Sequence, residues 1–291
     1  QLKGRECVPV VRRPCGVVGE HIANDEASWM RAVQSCDSVV HLAARAHVMS
    51  EELLDPLAAY RLANVQASVA LAECAARAGV RRFVFISSIK VNGESTAPAT
   101  HFTPEDKPAP VDPYGISKWE AEQALRGVCE REGMELVVIR PPLVYGPGVK
   151  GNFASMLNWV KRGMPLPLGC VHNQRSMVGL DNLVDLLALC ADPDLSPAVA
   201  GRVLLVKDEH SVSTPDLLRA VAKACGVSCR LMPVPTRLMR MGAALVGKSA
   251  QINRLLGSLT VDDSATRELL NWTPPYSMEE QLERMVNAAP L

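Results

Sequence analysis

Apolar residues along this chain fall into short continuous runs separated by longer stretches of helical period. CVPVV (7–11), SVVHLAA (38–44), RFVFISS (82–88) and LVVIRPP (136–142) are apolar at consecutive positions instead of every second one, the pattern of strands buried on both faces of a sheet. Between them lie DEASWMRAVQSC (25–36), DPLAAYRLANVQASVALAECAARAG (55–79) and PYGISKWEAEQALRGVCEREG (113–133), each expected to be a helix. In the second, Leu62, Val65, Val69 and Leu71 fall on roughly one side, and Gly79 closes the run as a helix C-terminus often does. Strand, helix, strand, helix in this order predicts an α/β fold, a doubly wound parallel sheet covered by helices on both faces.

After about residue 145 proline and glycine become more frequent (YGPGVKGN, RGMPLPLG, PVPTR, WTPPY), and a smaller second lobe is expected over 146–291. RVLLVKD (202–208) is expected to be one of its strands and LLRAVAKACG (217–226) one of its helices, while 176–192 is a candidate to return to the first lobe, residues 1–145. The sequence contains no internal repeat and no low-complexity segment.

Composition narrows the classes. With 48% hydrophobic and 21% charged residues over 291 positions the chain has enough apolar surface for a sizeable core. Lys plus Arg and Asp plus Glu both number 31, so no overall basic field points to nucleic acid or an anionic membrane as a partner. The nine cysteines form no CxxC pair and several lie in apolar runs, the usage of free thiols in a reducing compartment. No apolar run reaches the roughly 18 residues of a membrane span, and LVDLLALCA (183–191) is broken by Asp185. The opening QLKGRECVPVV has no signal pattern. A soluble cytoplasmic protein is expected.

In an open parallel sheet, ligands gather at the carboxyl ends of the strands. There the second strand runs into Leu42, Ala43 and Ala44, small or apolar residues that let a flat ligand approach the backbone. The third ends at Ser87 and Ser88, and the fourth at Pro141. Tyr114 and Lys118 lie one helical turn apart at the start of the helix after the third strand, on a shared face. A tyrosine titrates near 10 and is a poor base at neutrality. A neighbouring ammonium stabilises the phenolate and makes it an acid/base group. With a serine hydroxyl holding the substrate oxygen, this is chemistry for interconverting a carbinol and a carbonyl. No side chain accepts a hydride, so a nicotinamide cofactor, NAD or NADP, is implied.

HLAA (41–44), FVFISSIKVNGE (83–94), DPYGISKWEAE (112–122), IRPPLVYGPGVKGNF (139–153), QRSMVGLDNLVD (174–185) and VDDSATRELLNWTPP (261–275) resemble the extended short-chain dehydrogenase/reductases. More narrowly they resemble the NAD-dependent epimerase/dehydratase family, including bacterial UDP-sugar 4-epimerases and UDP-4-keto-6-deoxy-N-acetylhexosamine 4-reductases. The resemblance covers nearly the whole chain. It implies a Rossmann-like first domain, with Tyr114 as acid/base, Lys118 holding the cofactor ribose, and Ser88 on the substrate oxygen. It further implies a UDP-sugar substrate whose diphosphate is held by Asn152 and Arg175, with Arg254 as a weaker candidate and a homodimer as the assembly. An arginine fork suits a diphosphate, and an amide can donate to one of its oxygens.

Dehydratases of this family carry Asp and Glu after the catalytic Ser/Thr, where this chain has Ile89 and Lys90. That leaves 4-epimerisation or reduction at C4, in surface-polysaccharide synthesis. The family's first strand and GxxGxxG turn are not found in the sequence, since residues 1–13 read as the end of that first helix and the second strand. Either about 20 to 30 residues of a strand-turn-helix opening have been lost, or the chain is natively short and binds no cofactor. Arg12 and Arg13 end the second strand where NAD enzymes carry an acidic residue, which tilts the expectation toward the 2′-phosphate of NADP. Glu20 is a candidate for the adenine edge, with a solvated carboxylate as the alternative. Asn64 could orient the site or be a satisfied core amide, and His41 has no companions at metal-ligand spacing. The rival of another class is a non-catalytic nucleotide-sugar-binding or scaffolding relative.

Overall fold

The computed structural model of the chain describes residues 6–11, 20–22, 25–46, 55–149, 151–245, 247 and 249–288. Its strands are β1 (Val10–Val11), β2 (His21–Ile22), β3 (Ser38–His41), β4 (Arg82–Ile86), β5 (Glu135–Arg140), β6 (Leu143–Tyr145), β7 (Met177–Gly179) and β8 (Val203–Leu205). The helices are α1 (Glu26–Val33), α2 (Pro56–Arg61), α3 (Ala67–Arg77), α4 (Pro113–Glu132), α5 (Gly151–Lys161), α6 (Leu180–Cys190), α7 (Thr214–Ala224), α8 (Thr236–Leu245), α9 (Ser249–Leu256), α10 (Ser264–Leu270) and α11 (Met278–Asn287). The chain divides into two compact units, 1–91 with 110–140 and 186–204, and 92–109 with 141–185 and 205–291.

The first unit is built on the sheet β3-β4-β5-β8, in which β3, β4 and β5 run parallel with His41 opposite Phe85 and Ile86 opposite Ile139. β1 pairs in parallel with β2 as a separate two-stranded ladder. Phe83, Phe85, Val138 and Leu136 meet Ala72, Ala75, Ala121 and Leu125 of α3 and α4 in one core, and the intervening Val84, Val137 and Ile139 are buried as well, so those strands are apolar at consecutive positions. Strand β8 differs from the expectation that placed it in the second lobe. An apolar run records that a strand is buried but not which sheet receives it, and 203–205 joins the edge of the first sheet.

The long helix expected over 55–79 is interrupted by a π-helical turn at Leu62–Gln66. Such a turn inserts one residue into the helical register. Leu62 is thereby rotated into solvent, while Val65, Val69 and Leu71 still pack on the core. Helix α4 starts where sequence rules place it. Asp112 caps it by accepting the Gly115 N–H at 2.7 Å, Pro113 fills the first turn, and Gly133 closes it in the left-handed conformation (φ 69°).

The second unit holds the parallel pair β6-β7 and its own core, in which Tyr145, Phe153, Met177, Leu217, Leu218, Val221 and Leu282 pack together. Asp208 ties the two strand ends. Its carboxylate accepts the Tyr145 hydroxyl at 2.6 Å, the Asn182 amide at 2.7 Å and the Gly179 N–H at 3.0 Å. The eight described cysteines are free thiols, and among the described residues no helix is long and apolar enough to cross a membrane.

Candidate active site

Three parallel strands end at one edge of the first sheet, and the residues just beyond those ends form the site. Ser88 follows β4 and opens a short 3-10 turn, Ile89–Val91. Helix α4 is brought against that turn by Gly115, where a Cβ would lie 3.0 Å from the Lys90 carbonyl oxygen. The ion pair of Lys90 with Asp112 fixes the same approach from the side chains. Tyr114, in the first turn of α4, thus comes close enough to Ser88 for the serine hydroxyl to favour the phenolate.

Lys118 is buried one turn further on. Its Nζ donates to the Ile86 carbonyl at 2.7 Å and sits 4.4 Å from the centre of the Phe85 ring. The structure therefore places Ser88 near Tyr114 and Lys118 one turn further along α4, with its ammonium turned to the Ile86 carbonyl. It also corrects the direction of tuning expected for the tyrosine. Burial pushes the Tyr114 phenol up to about 12, partly offset by the Ser88 hydroxyl and reinforced by the Asp112 charge. Lys118 is pushed down to about 8 by burial, with the Glu122 carboxylate holding it up. In this state the ammonium is directed at a backbone carbonyl, and the phenol remains protonated at neutral pH.

Two networks hold these groups in place. Asn64, buried in the π-helical turn, accepts the Arg45 N–H at 2.7 Å and donates to the Arg45 carbonyl at 3.1 Å and to Ser117 Oγ at 2.9 Å. Ser117 in turn donates to the Tyr114 carbonyl at 2.8 Å. The amide thus links the segment after β3 to the helix that carries the tyrosine. The second network was missed at the sequence level. Glu122, 0% exposed, accepts two hydrogen bonds from Arg140, 2.9 Å from Nε and 2.6 Å from Nη2, and a third from Ser87. The available signal was its spacing, one turn after Lys118 and two after Tyr114, on the face that α4 buries.

Leu42 and Ala43 are exposed and Ala44 half-buried immediately past β3. An uncovered apolar strip there, with the Lys118 ammonium at the end of the adjacent strand, fits a flat nicotinamide and its ribose. Pro141, directly after β5, is buried, and Glu20 is half-buried before β2. Arg12 and Arg13 lie outside the described residues. His41 is a satisfied core histidine, its Nε2 2.9 Å from Ser68 Oγ and its ring beside Phe83 and Phe85. Among the described residues no group of His, Cys, Asp and Glu is arranged to hold a metal.

In the second unit, Arg175 Nη1 donates to the carbonyls of Arg254 at 2.7 Å and Gly257 at 3.3 Å. Arg254 Nε lies 3.4 Å from Glu94 Oε2. Burial pulls the Arg175 guanidinium down from its usual range and the Glu94 charge opposes this. The two arginines are thus neighbours on a common backbone turn. Asn152 is the second residue of α5, and its side chain lies outside the described residues.

The family model for the NAD dependent epimerase/dehydratase family matches residues 11–198. A UDP-glucose 4-epimerase of Vibrio cholerae is 47% identical over 251 residues, covering 86% of this chain and 76% of that protein. The chain belongs to the NAD-dependent epimerase/dehydratase family. Its fold agrees with solved members. The UDP-glucose 4-epimerase of Thermotoga maritima, solved with UDP-glucose, superposes with a TM-score of 0.72 at 23% identity, covering 95% of this chain and 88% of that one. The UDP-glucuronic acid 4-epimerase of Bacillus cereus, solved with NAD, gives a TM-score of 0.70 at 19% identity over 91% of this chain and 78% of that one. The protein is thus a Rossmann-like enzyme of a family that works with a nicotinamide dinucleotide.

Proposed function

We propose that this protein is a UDP-sugar 4-epimerase of surface-polysaccharide synthesis, acting on UDP-N-acetylhexosamines or UDP-hexoses. The observation that carries the reading is the Ser88–Tyr114 hydroxyl pair beside the buried Lys118 at the carboxyl edge of the parallel sheet. The Tyr114 phenol and Ser88 hydroxyl hold the sugar O4. Tyr114 Oη takes the O4 proton as the carbinol becomes a carbonyl and returns it to O4 when the carbonyl is reduced, while the hydrogen that left C4 as hydride comes back on the opposite face of the ring. Bound NAD or NADP supplies the hydride acceptor and donor. Lys118 has three donors, so its ammonium can keep the Ile86 carbonyl and also hold ribose hydroxyls, while its charge supports the phenolate. Leu42, Ala43, Ala44, Glu20 and Pro141 are assigned to the dinucleotide, and Arg12 and Arg13 to the 2′-phosphate that would make NADP the preferred form.

For the second unit we propose that Arg175, Arg254 and Asn152 bind the diphosphate of the nucleotide sugar. The fork of Arg175 carries five N–H donors, enough to hold its backbone carbonyls and still reach an anion. The second reading, a UDP-4-keto-6-deoxy-N-acetylhexosamine 4-reductase, is favoured by one observation. A phenol pushed up to about 12 arrives protonated, as a carbonyl reduction requires. The test is incubation with UDP-glucose, UDP-N-acetylglucosamine and a 4-keto-6-deoxy nucleotide sugar, with cofactor absorbance followed at 340 nm as on the order of one turnover per hydride. Epimerised product without net cofactor consumption supports the first reading, and stoichiometric consumption supports the second. Tyr114→Phe should lower turnover by a factor on the order of 10² to 10⁴ with little change in ligand affinity. Unchanged turnover in that variant sinks both readings.

A further inference from the structure

The zero net charge of the chain conceals an uneven distribution. Residues 217–261 contain seven Lys or Arg and no Asp or Glu, in a sequence with equal totals of each sign. Some of these cations are matched from outside the stretch: Arg219 pairs with Asp216, Lys223 with Glu279, and Arg254 with Glu94. Arg230, Arg237 and Arg240 are exposed with no carboxylate at salt-bridge distance among the described residues.

Two of these three are on α8, which has an unusual second feature. Met239 packs on the second unit's core and Thr236 and Ala243 are half-buried, so that side faces the body of the unit. On the opposite side Leu238, Met241 and Leu245 are 56%, 63% and 87% exposed. Their spacing, i, i+3 and i+7, aligns them in one outward stripe. Arg237 and then Arg240 lie along one edge of that stripe, and Met232, just before the helix, adds another exposed apolar side chain. An apolar stripe bordered by unneutralised arginines on a convex helix is the pattern of a helix that lies in a lipid headgroup layer.

We propose that α8 docks this protein peripherally on an anionic phospholipid surface, with Leu238, Met241 and Leu245 entering the acyl boundary and Arg237 and Arg240 meeting lipid phosphates. A second copy of the chain fits the face less well. An isologous pairing would bring a second Arg237 and Arg240 into the same interface, with no carboxylate on α8 to offset them. A nucleic acid would use the arginines and leave the apolar stripe in water. This inference does not depend on which sugar the enzyme converts. It also revises the expectation, read from net charge alone, that no anionic membrane is a partner.

The experiment is flotation of the full chain with vesicles of phosphatidylcholine alone and of phosphatidylcholine mixed with phosphatidylglycerol. The protein should float with the anionic vesicles, not with the neutral ones, and should be released by high salt. Each basic residue near such a surface is worth about fivefold in partitioning, so Arg237→Glu/Arg240→Glu should weaken binding by at least roughly twenty-fold. Leu238→Ser/Met241→Ser/Leu245→Ser should abolish it. These exposed side chains are remote in sequence from Ser88, Tyr114 and Lys118, so sugar-nucleotide turnover in the absence of lipid and the thermal melt should stay unchanged. The proposal is overturned by absence of flotation, or by flotation that the variants do not alter. It is equally overturned by a stable dimer in lipid-free buffer that the triple-serine change converts to monomer, which would make the stripe a protein interface.

Discussion

Glu122→Gln is the most revealing single change, because it alters one charge and almost no volume at the centre of the buried network behind the site. Arg140 is 2% exposed and Glu122 0% exposed, so the carboxylate is the counter-charge for a cation with little access to water. Breaking such a pair from one side costs about 3 to 5 kcal/mol. A glutamine oxygen in place of Oε1 can keep two of the three hydrogen bonds, those from Arg140 Nε and Ser87, which places the expected loss near the lower end, about 3 kcal/mol. For a chain of this size that corresponds to a melting temperature lower by roughly 5 °C. Lys118 reports the change independently. The Glu122 charge opposes the burial that pushes Lys118 down to about 8. With that charge gone and Arg140 unopposed, the ammonium loses its proton at still lower pH. Differential scanning fluorimetry and the pH profile of kcat/KM read the two effects. Glu122→Gln/Arg140→Met, which removes both charges, should recover most of the lost stability. A melting temperature within about 2 °C of wild type, or a double variant as unstable as the sum of the single ones, would show that the ion pair does not hold the site.

Two further outcomes are expected. The free enzyme's kcat/KM should fall as pH rises through about 8, because Lys118 is an ammonium below that value and a neutral amine above it. Tyr114 acting alone as a base, pushed up to about 12, would give a rate still climbing across the same range, so a profile rising from neutral to pH 9 removes Lys118's charge from the account. Arg175→Met should raise KM for a UDP-sugar by a factor of about 10 to 200 while leaving kcat within a few-fold, the signature of lost uniform binding and of a charged hydrogen-bonding group. A fall in kcat with KM unchanged would move Arg175 out of diphosphate binding.

The pattern of the sequence made the central strands and α4 legible for a simple reason. Strands buried on both faces must be apolar at every position, and an Asp-Pro pair followed by a helical run leaves few other ways to begin a helix. The approach of Ser88 to Tyr114 followed from strand order and one turn of helix. Other features depend on contacts that local sequence does not carry. The π-helical turn carries Asn64, whose amide bonds the backbone of Arg45, 19 residues earlier, a pairing that helical spacing does not reveal. Strand β8 reads as any buried strand until its neighbour is known. Glu122 and Arg140 look like ordinary solvated charges in a string of letters, since burial is what gives them meaning. The direction of the Tyr114 shift was read from spacing, which favours the phenolate, whereas burial outweighs it in the folded chain.

The most direct test of the central claim, that Tyr114 moves a proton while the C4 hydrogen leaves and returns as hydride, is the fate of that hydrogen. UDP-glucose and UDP-N-acetylglucosamine deuterated at C4 are incubated with the protein and NAD or NADP in ordinary water, and the products are analysed by NMR. Retention of deuterium at C4 of the epimerised sugar, with Tyr114→Phe inactive, is the predicted result. Deuterium lost to solvent, or a Tyr114→Phe variant as active as the wild type, would contradict it.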